Sequence, residues 1–161
     1  LGASVQTFAL NRLNFRGCQG CMACKTKSDK CVIKDDLEPV LEAARESDVL
    51  VLASPVYMGD VTCTIRAFIE RSYSYFVPDF FTNPNPSRLK PGKKLVFIQT
   101  QGQPNEKLFG DIFPRTELFL KRVGFPECHL IRACGVRKPG EVAGREAEMK
   151  LAEETARKIL G

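Results

Sequence analysis

The chain has 161 residues, 43% hydrophobic and 27% charged, with a formal net charge of +5. That suffices for one well-packed domain over 1–161, is short for two, and excludes a disordered chain. No apolar run reaches membrane-spanning length, no secretory signal opens the chain, and no basic face interleaved with aromatics points to nucleic acid.

The chain opens Leu1-Gly2-Ala3 without an initiator Met, so the natural protein is expected to begin further upstream. Residues 5–10 alternate and read as a strand leading into a loop at 17–34. Asp36 is placed to cap a helix over 37–47, with Leu37, Val40, Leu41 and Ala44 as its apolar face. Residues 49–53 form a continuous apolar run, the pattern of a strand buried on both faces. A helix over 61–76 follows, then a Pro- and Asn-rich loop over 77–92 that carries Phe80 and Phe81. That pair reads equally as a subunit contact or as a loop tucked under its own domain. A strand at 94–100, a helix at 113–123, a strand at 129–133 and a helix at 143–160 complete the order. Strand–helix alternation of this kind predicts an α/β fold, a doubly wound parallel sheet in three layers. Ligands of such sheets sit beyond the carboxyl ends of the strands.

The loop at 17–34 holds the densest chemistry. Cys18, Cys21 and Cys24 stand at triplet spacing, and Cys31 follows six residues later. Iron–sulfur clusters are commonly held by C-x2-C-x2-C runs, and a fourth thiolate on a short loop can complete a [4Fe–4S] set. Structural zinc usually takes two paired knuckles a dozen or more residues apart, which fits less well, and unmetallated thiols are the third alternative. Gly17, Gly20 and Ala23 let backbone N–H groups approach sulfur. Arg16, Lys25, Lys27, Lys30 and Lys34 offset a negative centre or steer an acidic redox partner, or form a merely solvated lysine-rich loop. With seven cysteines, an odd number mostly clustered, a reducing, cytoplasmic location is expected.

Three stretches together carry a resemblance. Cys18-x2-Cys21-x2-Cys24-x6-Cys31-Val-Ile-Lys-Asp35-Asp36, Ser54-Pro55-Val56-Tyr57-Met58-Gly59 and Arg66-Ala-Phe-Ile-Glu70-Arg71 resemble the iron–sulfur flavoprotein family, within the wider NAD(P)H-dependent FMN reductase and flavodoxin-like group. The resemblance implies a [4Fe–4S] cluster on Cys18, Cys21, Cys24 and Cys31. It also implies FMN bordered by Ser54, Pro55, Val56, Tyr57, Met58 and Gly59, with Thr100, Gln101 and Gly102 reaching the same site from the side. It further implies a ferredoxin-like donor or acceptor and a homodimer or homotetramer, and leaves NAD(P)H use open.

The family's first strand and Gly/Ser-rich phosphate turn have no counterpart in the chain. The flavodoxin-like sheet is therefore expected to lack its first strand here, with roughly thirty upstream residues supplying it or the sheet rebuilt another way.

Cys63, Cys128 and Cys134 read as quiet thiols, the lone His129 as structural, and Glu70 and Arg71 as an ordinary surface pair. No side chain stands out as a catalytic acid or base. The expected activity is FMN-dependent electron transfer that couples one-electron and two-electron chemistry. The alternatives are an NAD(P)H-dependent FMN, quinone or nitro reductase without a cluster, and a zinc-stabilised binding module.

Overall fold

Alternation along one apolar strand sets the architecture of the computed structural model, which describes residues 1–161. Strand β1 (Val49–Tyr57) points Leu52 and Ser54 into the core, while Val51 on its other face is 52% exposed. The expectation of a strand buried on both faces is thus corrected. The placement of the helices accounts for the difference. Helices α2 (Leu37–Glu46), α3 (Cys63–Arg71) and α4 (Ile112–Val123) contribute Leu37, Leu41, Phe68 and Leu120 to the apolar cluster that also takes Leu52, Leu95 and Phe97. The opposite face is served by α5 (Glu146–Leu160), which packs along β4 rather than β1.

The sheet order is β2-β1-β3-β4. β1, β3 (Lys94–Gln101) and β4 (Glu127–Cys134) run parallel, with Ala53 beside Ile98 and Ile98 beside Ile131. β2 (Asp60–Val61) turns back antiparallel and pairs only with Val56 and Tyr57. From Val49 to Pro55 the outer edge of β1 therefore has no strand partner. The sequence-based expectation of a doubly wound α/β sheet holds, with helices on both faces.

Residues 5–10, expected as a strand, form no ladder. They run irregularly into a single 3-10 turn, Leu10–Arg12, and Phe8 and Leu10 rest against the core instead. An isolated extended segment leaves its backbone groups to water or side chains, and only a neighbouring strand makes it a strand. The helix expected over 61–76 is also divided. Asp60 and Val61 belong to the hairpin, Thr62 is extended, and a 3-10 turn, Ser72–Tyr75, follows α3. Asp36 flanks α2 as expected, but its carboxylate accepts from Asn14 N at 2.7 Å. Asp35 Oδ1 accepts from Leu37 N at 3.1 Å in its place. In the 77–92 loop the two phenylalanines part: Phe80 is buried against Phe76 and Tyr73, and Phe81 is 78% exposed.

No helix is long and apolar enough to cross a membrane.

Candidate functional site

The cysteine loop is held by the far end of α3. The loop turns through left-handed Gly20 and Met22 and then enters α1 (Ala23–Thr26), a single turn that carries Cys24. Gly20 N donates to Cys18 Sγ at 3.5 Å, the kind of contact expected from small residues beside sulfur. Cys18 N donates to Glu70 Oε2 at 3.3 Å. A Cβ at Gly17 would stand 2.6 Å from Glu70 Oε2, so a larger residue there would displace that carboxylate.

Cys18, Cys21, Cys24 and Cys31 all line one cavity of about 30 Å³. Cys18 and Cys21 are exposed, and Cys24 and Cys31 are half-buried. The structure therefore brings the four predicted sulfurs to one place. It does not draw any three His, Cys, Asp or Glu donors into a set able to hold a single metal ion. Tetrahedral zinc, with Zn–S bonds near 2.3 Å, needs sulfurs only about 3.8 Å apart. Four thiols around one concavity are the donor type that an iron–sulfur centre takes.

Two buried cations support this loop: Lys25, which the sequence leaves between charge offset, steering and a solvated loop, and Arg71, for which it gives a surface reading. Lys25 is 8% exposed, and its ammonium donates to the carbonyls of Tyr73 at 2.7 Å and Phe76 at 2.8 Å. It also lies 4.2 Å from the centre of the Tyr73 ring. Burial, opposed by neighbouring Cys24 and reinforced by Arg88, holds the Lys25 pKa below the ordinary lysine value. Arg71 is 1% exposed and lines the cavity. Its Nη1 donates to Asp35 Oδ2 at 2.8 Å and Arg16 O at 3.1 Å, and its Nη2 to Ile33 O and Asp35 Oδ1. Burial opposes its charge, but Asp35 and Cys31 outweigh that and push its pKa up. Its Nε is buried without any partner. Arg88 completes the support by donating to the carbonyls of Cys24, Asp29 and Ser74. The sequence signal for Arg71 was present in its spacing within Arg66-Ala-Phe-Ile-Glu70-Arg71 on a helix, but an arginine at a helix end usually faces water.

At the other end of α3 stands the second predicted constellation. Residues 54–57 are not a loop: β1 continues through Tyr57 and reverses at Met58-Gly59 into β2. Met58 at φ 50° and Gly59 at φ 84° give the two left-handed positions of a tight hairpin turn. Ser54 Oγ donates to Pro55 O at 2.8 Å and accepts from Thr62 N at 3.0 Å, which ties the hairpin to the start of α3. Val56 pairs with Val61, and Asp60 accepts from Arg66 Nη2 at 2.6 Å. Tyr57 is 66% exposed and Met58 fully so.

Pro55 and Thr100 are neighbours across β1 and β3, so Thr100, Gln101 and Gly102 lie at the same carboxyl end of the sheet as the hairpin. Gln101 turns inward: its Nε2 donates to Gln103 O at 2.9 Å, and its Oε1 accepts from Arg132 Nε at 3.2 Å. Uncommitted Tyr57 and Met58 surface beside a backbone edge fits a planar, polarisable ring such as an isoalloxazine. What these residues fit is the ring rather than a phosphate.

The remaining candidates are accounted for within the fold. His129 pairs with Glu127 at 2.7 Å at the start of β4. Cys134 lines a second cavity of about 290 Å³ with Arg132, Arg145 and Glu148, and both arginines there are committed to backbone carbonyls.

Comparison with known proteins agrees with this architecture. A family model described as "Flavodoxin-like fold" matches residues 2–159. An iron–sulfur flavoprotein of Archaeoglobus fulgidus is 35% identical over 106 residues, 65% of this chain and 44% of that protein. One from Methanosarcina thermophila is 34% identical over 71 residues, 44% of this chain and 37% of that protein. These matches span less than half the length of the curated relatives. An FMN-dependent NADH:quinone oxidoreductase of Hydrogenovibrio crunogenus is 23% identical over 124 residues, 74% of this chain and 60% of that protein. Among solved structures, NAD(P)H:quinone oxidoreductase from Methanothermobacter marburgensis superposes with a TM-score of 0.58 at 18% identity, over 83% of this chain and 68% of that one. At that identity the likeness is one of fold. The resemblance to iron–sulfur flavoproteins read from the sequence is borne out, and by the family match and by its own sheet the chain belongs to the flavodoxin-like fold family.

Proposed function

We propose that residues 1–161 form one domain of an FMN-dependent oxidoreductase that also carries a [4Fe–4S] cluster on Cys18, Cys21, Cys24 and Cys31. The observation that carries this reading is the single cavity lined by all four sulfurs together with the buried Arg71. When bound, the cluster supplies one-electron chemistry and the flavin one- or two-electron chemistry, which lets the protein join the two kinds of partner. The chain's own part is to position and shield. Lys25 and Arg71 counter the charge of the thiolates, and Gly20 N donates to sulfur. Tyr57 and Met58 border the ring face, with Thr100, Gln101 and Gly102 contributing backbone at its edge. No side chain is assigned acid or base work.

The hairpin and the cysteine cavity lie at opposite ends of α3, nine residues or about 14 Å of helix. That separation favours a homodimer or homotetramer in which one copy's cavity faces another's hairpin. A ferredoxin-like carrier is the proposed partner, met at the basic cysteine loop, with NAD(P)H as a further possible reductant.

Anaerobic purification with iron, sulfide and flavin analysis tests the reading. About four iron and four sulfide per chain with a brown spectrum are expected. A yellow protein without iron would establish the second reading, a flavin reductase of the kind the quinone oxidoreductase relative represents. Stoichiometric zinc without flavin would establish a binding module.

A further inference from the structure

Arg71 is placed to do more than hold Asp35. Of the two buried side-chain nitrogens without a hydrogen-bond partner, Arg45 Nε stands 3.8 Å from Glu42 Oε1 and is not part of the cysteine cavity, whereas Arg71 lines it. The other cations nearby are spent. Lys25 Nζ is committed to the Tyr73 and Phe76 carbonyls, and Arg88 to those of Cys24, Asp29 and Ser74. The Asp35 carboxylate and the Arg16 and Ile33 carbonyls fix both Nη atoms of Arg71, so the guanidinium plane cannot turn to satisfy Nε elsewhere. A buried donor left unmade costs about 1–3 kcal/mol, and more for a charged group. Such a cost is recovered where a sulfur of the same cavity becomes a thiolate acceptor on ligating a cluster, and Cys31 lines that cavity beside Arg71.

We propose that Arg71 is a positioning residue whose Nε–H donates to the Cys31 sulfur when the cluster is bound, and that it thereby raises the cluster's reduction potential. This rests on the cluster reading above. On reduction one electron enters the cluster and its negative charge grows. A fixed N–H and a buried cation stabilise the reduced form more than the oxidised one. Arg71 is also why Cys31, remote from the triplet in sequence, is held at the same cavity: Ile33 O, two residues on, is one of its acceptors.

The test compares wild type with Arg71→Lys, which keeps a cation for Asp35 and removes the Nε–H. The variant is read on its cluster-loaded fraction, with iron and sulfide measured per folded chain. A folded variant that loads no iron would make Arg71 a requirement for binding rather than a tuner of potential and would overturn the proposal. The loaded variant's midpoint in a dye-mediated dithionite titration followed by electron paramagnetic resonance should fall by about 59 mV, a tenfold change in the one-electron equilibrium. A loaded variant with an unchanged midpoint would overturn the proposal. Should the variant fail to fold, wild-type holoprotein labelled with 15N-arginine decides: the reduced cluster should show a nitrogen hyperfine coupling, and its absence overturns the donor role. Wild type that takes up flavin but no iron overturns the cluster reading itself, and this proposal with it.

Discussion

Arg71 and Asp35 form a two-point ion pair, Nη1 to Oδ2 at 2.8 Å and Nη2 to Oδ1 at 3.2 Å, with side-chain exposures of 0% and 12%. It joins the end of α3 to the segment just after Cys31, across 36 residues of sequence. Removing one partner leaves the other charge buried and uncompensated. Asp35→Ala should therefore destabilise the fold by about 3–5 kcal/mol in urea unfolding. The pair also makes a pH prediction. Burial alone would raise the Asp35 pKa, but bonds from Arg71, Arg16 N and Leu37 N outweigh it and hold it below the usual carboxylate value. A lowered folded pKa means the contribution is complete above the unfolded value of about 3.9 and is lost as pH falls below it. Acid unfolding of Asp35→Asn should accordingly be less steep than that of wild type.

Lys25→Met keeps the length of the side chain and removes the charge. The Tyr73 and Phe76 carbonyls then lose a charged donor, at about 1.5–3 kcal/mol per bond. Much of that loss should appear as local opening of the cysteine loop. Faster amide hydrogen exchange over residues 18–34, with strand exchange unchanged, is the expected result.

Cysteine replacements should divide into two groups. Alanine at Cys18, Cys21, Cys24 or Cys31 is expected to lower bound iron by at least half, as each removes one ligand in four. Cys63→Ala, at an exposed thiol outside the cavity, should leave iron content at the wild-type level. Equal losses in both groups would show that iron binds adventitiously.

The hairpin at Met58-Gly59 makes opposite predictions for its two positions. Gly59 has a φ of 84°, and a Cβ there would meet only the Phe109 ring at 3.6 Å. The cost of Gly59→Ala is thus conformational, about 1–2 kcal/mol by thermal unfolding. Met58→Asn places a residue suited to left-handed backbone and should add about 0.5 kcal/mol of stability. It also removes the polarisable surface proposed to face the ring, so FMN affinity should fall severalfold in a fluorescence titration.

Cys128 provides a chemical check on burial. Desolvation pushes its thiol up to about 11, helped by Glu117 and opposed by Lys121. At pH 8 only about one thiol in a thousand is then ionised. Its alkylation should still be accelerating between pH 9 and 11, and the exposed Cys63 should be modified long before it.

Local pattern determined a good deal of this protein. The spacing of Cys18, Cys21, Cys24 and Cys31, the strand–helix alternation and the apolar face of α2 were all legible, because each depends on short-range periodicity or on ligand chemistry. Tertiary structure decided the rest. Residues 5–10 had a strand's alternation but no neighbour to pair with, and ladder formation is a relation between segments. The 49–53 run had the composition of a doubly buried strand, yet Val51 is open because α5 lies over β4. Whether Lys25 and Arg71 are buried was not legible in the sequence. Their burial depends on carbonyls of residues 73 and 76 for one, and on residues 16, 33 and 35 for the other. Sequence names the groups able to bind sulfur, iron or a flavin, but whether a charge is buried depends on which distant backbone folds around it.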